Sequence, residues 1–432
     1  METEIGSLGY SIPLKSLPPH FLENIKQDLT VKPLENPNFP SNESAFPVYR
    51  ISKSKVYLPR FYGIEKYGSA KRNILPEGES INITFQGTLR SIQQEAVDVA
   101  LKNNYQGIIS LDTGLGKTVV ALFLISVLKT KTLIIVHAEF LLEQWKTRIE
   151  QYLPGARVGI IRQERQENEN VDISIGMIQT IISRDYPKDF FKSYGFTLID
   201  ENHHLGSRTF SSVFYKVQTK YNIGLSATPE RKDGLSKVFY WFLGPLLISV
   251  KRETGKPSIE FVMNDTAGYL EEFNRLGKVN SPAMITNLTK EKKRNELIIE
   301  LIKKFTSQGR KILVLSDRRE HCELLLKETL FTNISAGNYL GGMKTASRDL
   351  TVGCSVIIGT YQASGEGFDV PDLDTLILAT PKSDVVQAVG RILRQKNPNE
   401  PLVIDIVDSF SIFKGQYYKR RKFYKSENYK IN

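Results

Sequence analysis

Residues 111–118, LDTGLGKT, constrain this chain more than any other stretch, because they demand a backbone shape that little besides a nucleotide triphosphate requires. Before them runs GIISL, apolar and β-branched like a buried strand, and after them VVALFLISVL is long enough for a helix. Strand, glycine turn and helix together make a phosphate cradle. In it Thr113, Gly114, Leu115 and Gly116 turn backbone N–H groups inward toward the β-phosphate, and the helix N-terminus adds its dipole. Lys117 reaches the β and γ oxygens, and the Thr118 hydroxyl ligates Mg²⁺. The pattern's usual first glycine is Leu111 here.

The chain has 432 residues, enough for about three domains, and 41% hydrophobic content supplies their cores. No apolar run approaches the ~20 residues needed to span a bilayer, and METEIGSLGYSIPL lacks the layout of a signal peptide. A soluble, intracellular protein with no membrane partner is expected. Cys322 and Cys354 are too few for a disulfide framework or a Cys-rich zinc site and are expected as thiols. A net charge of +11 suggests a polyanionic partner, and a merely solvated basic surface fits it equally well.

Residues 1–82 are rich in proline and aromatics and read as a small, mostly β accessory domain. Within it VYRISKSKVYL predicts a hairpin with a Ser/Lys turn, whose Lys, Arg and Tyr residues suit either nucleic acid or plain solvent. At FQGTLRSIQQEA a helix begins, with Arg90 and Gln93 close in sequence to the glycine turn; the planar Gln93 amide suits an adenine edge. FTLIDENHH is an apolar strand ending on acids, at the edge where open parallel sheets bind ligands. Asp200 there would hold Mg²⁺ through water, and Glu201 would orient and deprotonate an attacking water. His203 would link this site to the SATPE loop. Zinc fits poorly, since adjacent His203 and His204 point apart and HExxH spacing is missing.

Residues 83–250 thus form a first α/β domain and 251–290 a connecting segment. A second α/β unit over 291–408 has no phosphate turn of its own, which suggests one nucleotide site closed by the second unit. The tail 409–432 interleaves Lys/Arg with Phe/Tyr, fitting a phosphate-contacting element and a basic helix packed back on the second unit equally well.

The motif order resembles the superfamily 2 helicases from about Phe85 to Asp408: LDTGLGKT is similar to motif I, DENH to motif II, SATP to III, TYQASGEGFDVPD to V and QAVGRILR to VI. LRSIQ, LLEQW, DENHH and SATPERKDG resemble the branch of XPB/Rad25 and the phage helicase UvsW, and VYRISKSKVYLPRFYG is similar to helicases of large DNA viruses, including the poxvirus transcript-release type. DEAD-box helicases fit worse, given His203 and Gln387. The Arg-Glu-Asp triplet of XPB proteins reads Arg231, Lys232, Asp233 here.

The resemblance implies two tandem RecA-like domains with parallel sheets beside the N-terminal domain, and ATP with Mg²⁺ as cofactors. It implies that Asp200 and Glu201 are the acidic pair, and that Gln387, Arg391 and Arg394 face the γ-phosphate. Thr228, Gly367 and Asp369 would link hydrolysis to the strand. The implied activity is ATP-driven 3′→5′ unwinding or remodelling of DNA, single-stranded, duplex, branched or RNA–DNA hybrid, by a monomer in touch with transcription machinery. A duplex translocase that leaves strands paired and a non-catalytic nucleic-acid-binding module are the alternatives. If the source is viral, the expected place is the host cytoplasm or the virion.

Overall fold

The computed structural model describes residues 2–34, 44–112, 114–201, 208–227, 230, 233–251, 255–275, 277–343, 345–365, 370, 372–393 and 399–432. The chain divides into two compact units, Met1–Lys251 and Arg252–Asn432, each built on a parallel sheet.

In the first unit eight strands run in the order Arg165–Gln166, Val158–Arg162, Ile173–Met177, Thr132–Val136, Phe196–Asp200, Tyr221–Ser226, Gln106–Leu111, Leu246–Val250. All pair in parallel except the short edge strand Arg165–Gln166. The central strands read as continuous apolar runs because helices cover both faces: every residue of Thr132–Val136 is buried. This order sets the ends of Gln106–Leu111, Tyr221–Ser226 and Phe196–Asp200 side by side.

The N-terminal residues belong to the same unit. A five-stranded sheet, with Glu4–Gly6 and Gly9–Pro13 at its middle, includes the hairpin expected from VYRISKSKVYL. Its turn is held by Ser52, whose Oγ accepts the Lys55 N–H at 3.0 Å. Helix Arg60–Tyr67 joins this part to the large sheet. Its buried Arg60 donates to the carbonyls of Thr219 and Lys220, and Tyr62 meets Trp241 edge-on at 5.6 Å.

The second unit holds a seven-stranded, wholly parallel sheet in the order Ala336–Tyr339, Val356–Thr360, Ile312–Ser316, Thr375–Leu378, Leu402–Asp408, Ser258–Asn264, Lys430–Ile431. Residues 251–290, expected as a connector, contribute the strand Ser258–Asn264 and the helix Ser281–Leu288. The sequence SIEFVMN hides its strand because only Ile259 is fully buried; near the sheet's edge it carries polar and apolar residues alike. The tail folds as helix Ser411–Ser426 and the edge strand Lys430–Ile431, so of its two readings packing against the second unit is the one observed.

Strand Leu402–Asp408 is buried along its whole length although it carries two aspartates. Asp405 and Asp408, three residues apart, project to opposite faces. Each meets an arginine from the helix covering that face. Arg294 of helix Lys292–Thr306 places Nη2 3.0 Å from Asp408, and Arg420 of helix Ser411–Ser426 places Nη2 2.7 Å from Asp405. Tyr424 adds a hydroxyl bond to Asp405 at 3.0 Å. Cys322 and Cys354 are both free thiols.

Because removing one partner strands a buried charge, Arg420→Ala is expected to destabilise the second unit by about 3–5 kcal/mol. The double variant Arg420→Met, Asp405→Leu should recover most of that loss. Denaturant unfolding monitored by circular dichroism measures both, and equal losses in the single and double variants would show that the charge pair is not what docks the helix.

Candidate nucleotide site

The glycine turn leaves strand Gln106–Leu111 at its C-terminal end and enters helix Lys117–Leu128. Gly114 at φ 84° and Gly116 at φ 91° both occupy the left-handed region, the conformation that glycine adopts without steric cost. The Leu115 carbonyl between them is gripped twice, by Arg90 Nη2 at 2.6 Å and Gln93 Nε2 at 3.0 Å. A trans peptide points its C=O and the following N–H in opposite directions, so this grip aims the Gly116 N–H away from Arg90 and Gln93, into the cradle. A Cβ on Gly116 would lie 2.2 Å from Gln93 Nε2 and would push this amide off the Leu115 carbonyl.

Gln93 is buried, and both ends of its amide are engaged: Nε2 by Leu115 and Oε1 by the Arg90 N–H at 2.9 Å. The side chain that the sequence suggests for an adenine contact thus also braces the phosphate turn, with one amide N–H and one oxygen lone pair beyond these two bonds. Arg90 does the same, donating also to the Gly114 carbonyl at 3.2 Å.

Lys117 opens the helix, with its Nζ 3.2 Å from the Leu111 carbonyl and 3.9 Å from Glu201 Oε1. Thr118 follows on the same first turn, where helix N–H groups lack intrahelical acceptors. Asp200 ends its strand. Its Oδ2 accepts the Trp145 indole N–H at 2.9 Å, and its Oδ1 accepts the Glu201 N–H at 3.0 Å. Its carboxyl is pushed up to about 6, mainly by lost hydration and further by the neighbouring Glu201 charge; Lys117 and the Trp145 hydrogen bond pull the other way. A carboxylate and a hydroxyl beside a lysine-lined glycine turn fit a hard cation that keeps most of its waters.

Trp145 escaped the sequence reading. It lies in helix Glu139–Tyr152 and is almost wholly buried, with only its indole N–H directed at the acidic pair. The signal was a tryptophan in LLEQW, but its partner stands 55 positions away.

In the second unit Gln387 and Arg391 lie on helix Val386–Arg391, Gln387 exposed and Arg391 buried. Gln387 lines a cavity of about 450 Å³ at the C-terminal ends of the second sheet's strands, with Asp317, Thr360, Tyr361 and Lys382. Lys382 Nζ pairs with Asp317 Oδ1 at 2.8 Å. Thr113, His203, His204, Thr228, Arg231, Lys232, Gly367, Asp369 and Arg394 lie outside the described residues.

Residues 86–231 match the family described as type III restriction enzyme, res subunit, and residues 293–396 match the helicase conserved C-terminal domain. A protein of Acanthamoeba polyphaga mimivirus named as an ATP-dependent RNA helicase is 34% identical, over 100% of this chain and 86% of that protein. A protein named as a helicase in Invertebrate iridescent virus 6 is 29% identical, over 98% of this chain and 100% of its own length. The DNA 3′-5′ translocase XPB2 of Sulfurisphaera tokodaii is 31% identical, over 62% of this chain and 57% of that protein.

The raised Asp200 carboxyl has a measurable consequence for the nucleotide-free protein. An unfolded aspartate ionises near 3.9, the folded one near 6, so its contribution to stability is intact below about pH 4 and is lost as pH rises to about 6. The loss is at most about 3 kcal/mol, at roughly 1.4 kcal/mol per unit. Asp200→Asn stays neutral and can still accept the indole N–H. It should therefore melt several degrees above wild type at pH 7.5, with the gap closing toward pH 4, while ATP turnover is lost. Equal melting temperatures at pH 7.5 would show that the carboxylate is well hydrated.

Proposed function

This chain belongs to the superfamily 2 helicases, in the branch of XPB-type translocases and helicases of large DNA viruses, and from that premise we propose that its ATP hydrolysis drives 3′→5′ movement along DNA, separating strands or remodelling forks and branches. It is an ATP-dependent helicase and binds nucleic acid. The observation that carries the reading is the convergence of Lys117, Asp200 and Glu201 on one sheet edge, with 3.9 Å between the lysine ammonium and the Glu201 carboxylate.

In this reading Thr118 and Asp200 would hold Mg²⁺, which would supply positive charge to the nucleotide phosphates, and Lys117 would contact their oxygens. Glu201 orients the attacking water and takes its proton. Arg391, Arg394 and Gln387 answer the charge that develops on the γ-phosphate, and Gly367 with Asp369 pass the change to the strand. DNA and the 3′→5′ direction draw support from the relative named a DNA 3′-5′ translocase. The mimivirus relative, named an RNA helicase, favours a second reading with RNA as the track.

Strand displacement on 3′-tailed and 5′-tailed DNA, RNA and hybrid duplexes decides between these. Release from 3′-tailed DNA or hybrids is expected. Release from RNA duplexes alone selects the second reading, and ATP turnover without release on any of them marks a translocase that leaves strands paired. Glu201→Gln is expected to lower DNA-stimulated turnover by about 10²–10⁴ while nucleotide still binds; a loss within threefold removes Glu201 from the chemistry.

Arg394→Ala tests the γ-phosphate role, since a cation that acts only in the transition state contributes to rate and not to ground-state affinity. Turnover should fall by about 10³, the lower end for arginine fingers, and Arg394→Lys should rescue little. A parallel loss of DNA-free nucleotide affinity would instead mark a folding role.

A further inference from the structure

Helix Ser411–Ser426 has a docked face and a free one. Arg420 and Tyr424 are buried against the sheet, Phe413 packs with Met284, Ile285 and Leu288 of helix Ser281–Leu288, and Phe261 of the sheet meets Tyr417 edge-on at 5.2 Å. On the side turned away, Lys414, Tyr418, Arg421, Lys422 and Lys425 are all exposed. At 100° per residue they fall within a stripe about 100° wide. Of the six cations on this helix, only Arg420 is ion-paired among the described residues.

Helix stability does not explain this stripe. The helix contains no acidic residue to form i,i+4 pairs, while Lys419/Lys422, Lys422/Lys425 and Arg421/Lys425 set like charges three or four apart, an arrangement that destabilises an isolated helix. Lys414 sits near the positive end of the dipole with no acid in the first turn. The buried Arg420–Asp405 pair holds the helix in place despite this repulsion. A row of uncompensated cations flanking a half-exposed tyrosine is complementary to a sugar-phosphate backbone.

We propose that the outer face of helix Ser411–Ser426 is a nucleic-acid contact surface, in which Lys414, Arg421, Lys422 and Lys425 pair with phosphates and Tyr418 packs on an exposed base or sugar. It rests on the helicase reading and adds a contact outside the helicase motifs. From residue 414 to residue 425 the stripe runs roughly 16 Å, the axial length of about five base pairs. The contact is indifferent to sequence, and its strength falls steeply with salt.

The test is fluorescence anisotropy of labelled duplex DNA across a salt series, with wild type and the quadruple variant Lys414→Gln, Arg421→Gln, Lys422→Gln, Lys425→Gln. Each lost phosphate contact flattens the log–log slope by about 0.9, so the variant's slope should be smaller by about 2–4. Its melting temperature should match or exceed that of wild type, because like charges have been removed. Tyr418→Ala should weaken single-strand binding several-fold and leave the slope unchanged. If the quadruple variant melts early, Lys414→Gln and Lys425→Gln singly, each expected to lower the slope by about one, decide the matter. An unchanged slope overturns the proposal, and binding of polyglutamate lost in the variant alongside that unchanged slope would assign the stripe to an acidic protein. Failure of wild type to bind any nucleic acid would overturn the helicase reading itself.

Discussion

A parallel sheet covered by helices on both faces leaves charged groups few places to stand, and both units are arranged around that constraint. A carboxylate inside such a sheet must bring a counter-charge with it; one at the C-terminal ends of the strands can face a ligand instead. Asp405 and Asp408 take the first course. Each is fully buried and answered by an arginine, so the acids that would otherwise disrupt the strand pin a helix to each face. Asp200 takes the second. Among the described residues no guanidinium reaches it; it has an indole N–H, a backbone N–H and the nearby lysine, and its carboxyl accordingly sits well above the ordinary range. A half-buried acid at a sheet edge with its titration shifted in this way marks a candidate functional position.

The same logic shapes the glycine turn. A loop that turns its amides inward, as a phosphate cradle requires, must turn carbonyls outward, where they need donors. Arg90 and Gln93 supply them to Gly114 and Leu115. The helix before the strand thus fixes the shape of the loop after it, and the left-handed φ of Gly116, with the Gln93 amide close beside it, favours glycine at that position.

Features that depend on neighbours in the chain were legible in the sequence. The phosphate turn, the apolar strands ending at Leu111 and Asp200, and the Ser52 hairpin all rest on local spacing or local backbone preference. What escaped depends on distant partners. Nothing local points to the bracing role of Gln93, because the carbonyl it binds is 22 residues on, or to the role of Trp145, because its acid is 55 residues on. Arg420 looked like one more cation in a basic tail, since nothing local distinguishes it from Arg421; only the sheet beneath does, through Asp405. The strand Ser258–Asn264 lacked the unbroken apolar run of its neighbours because little of it is buried.

The step from Asp200 to Glu201 shows why an acidic pair at a strand end needs more than two consecutive acids. In an extended strand successive side chains point to opposite faces, which would send the two carboxylates to opposite sides of the sheet. Here the chain leaves the extended conformation at Glu201, whose φ of 50° is in the left-handed region, where a non-glycine residue loses roughly 1–2 kcal/mol. The Asp200 Oδ1 bond to the Glu201 N–H stabilises that turn, and the outcome is a Glu201 carboxylate 3.9 Å from Lys117, on the side where the phosphates would lie. The strain is local, and what it secures is also local: two carboxylates from adjacent residues, serving one edge.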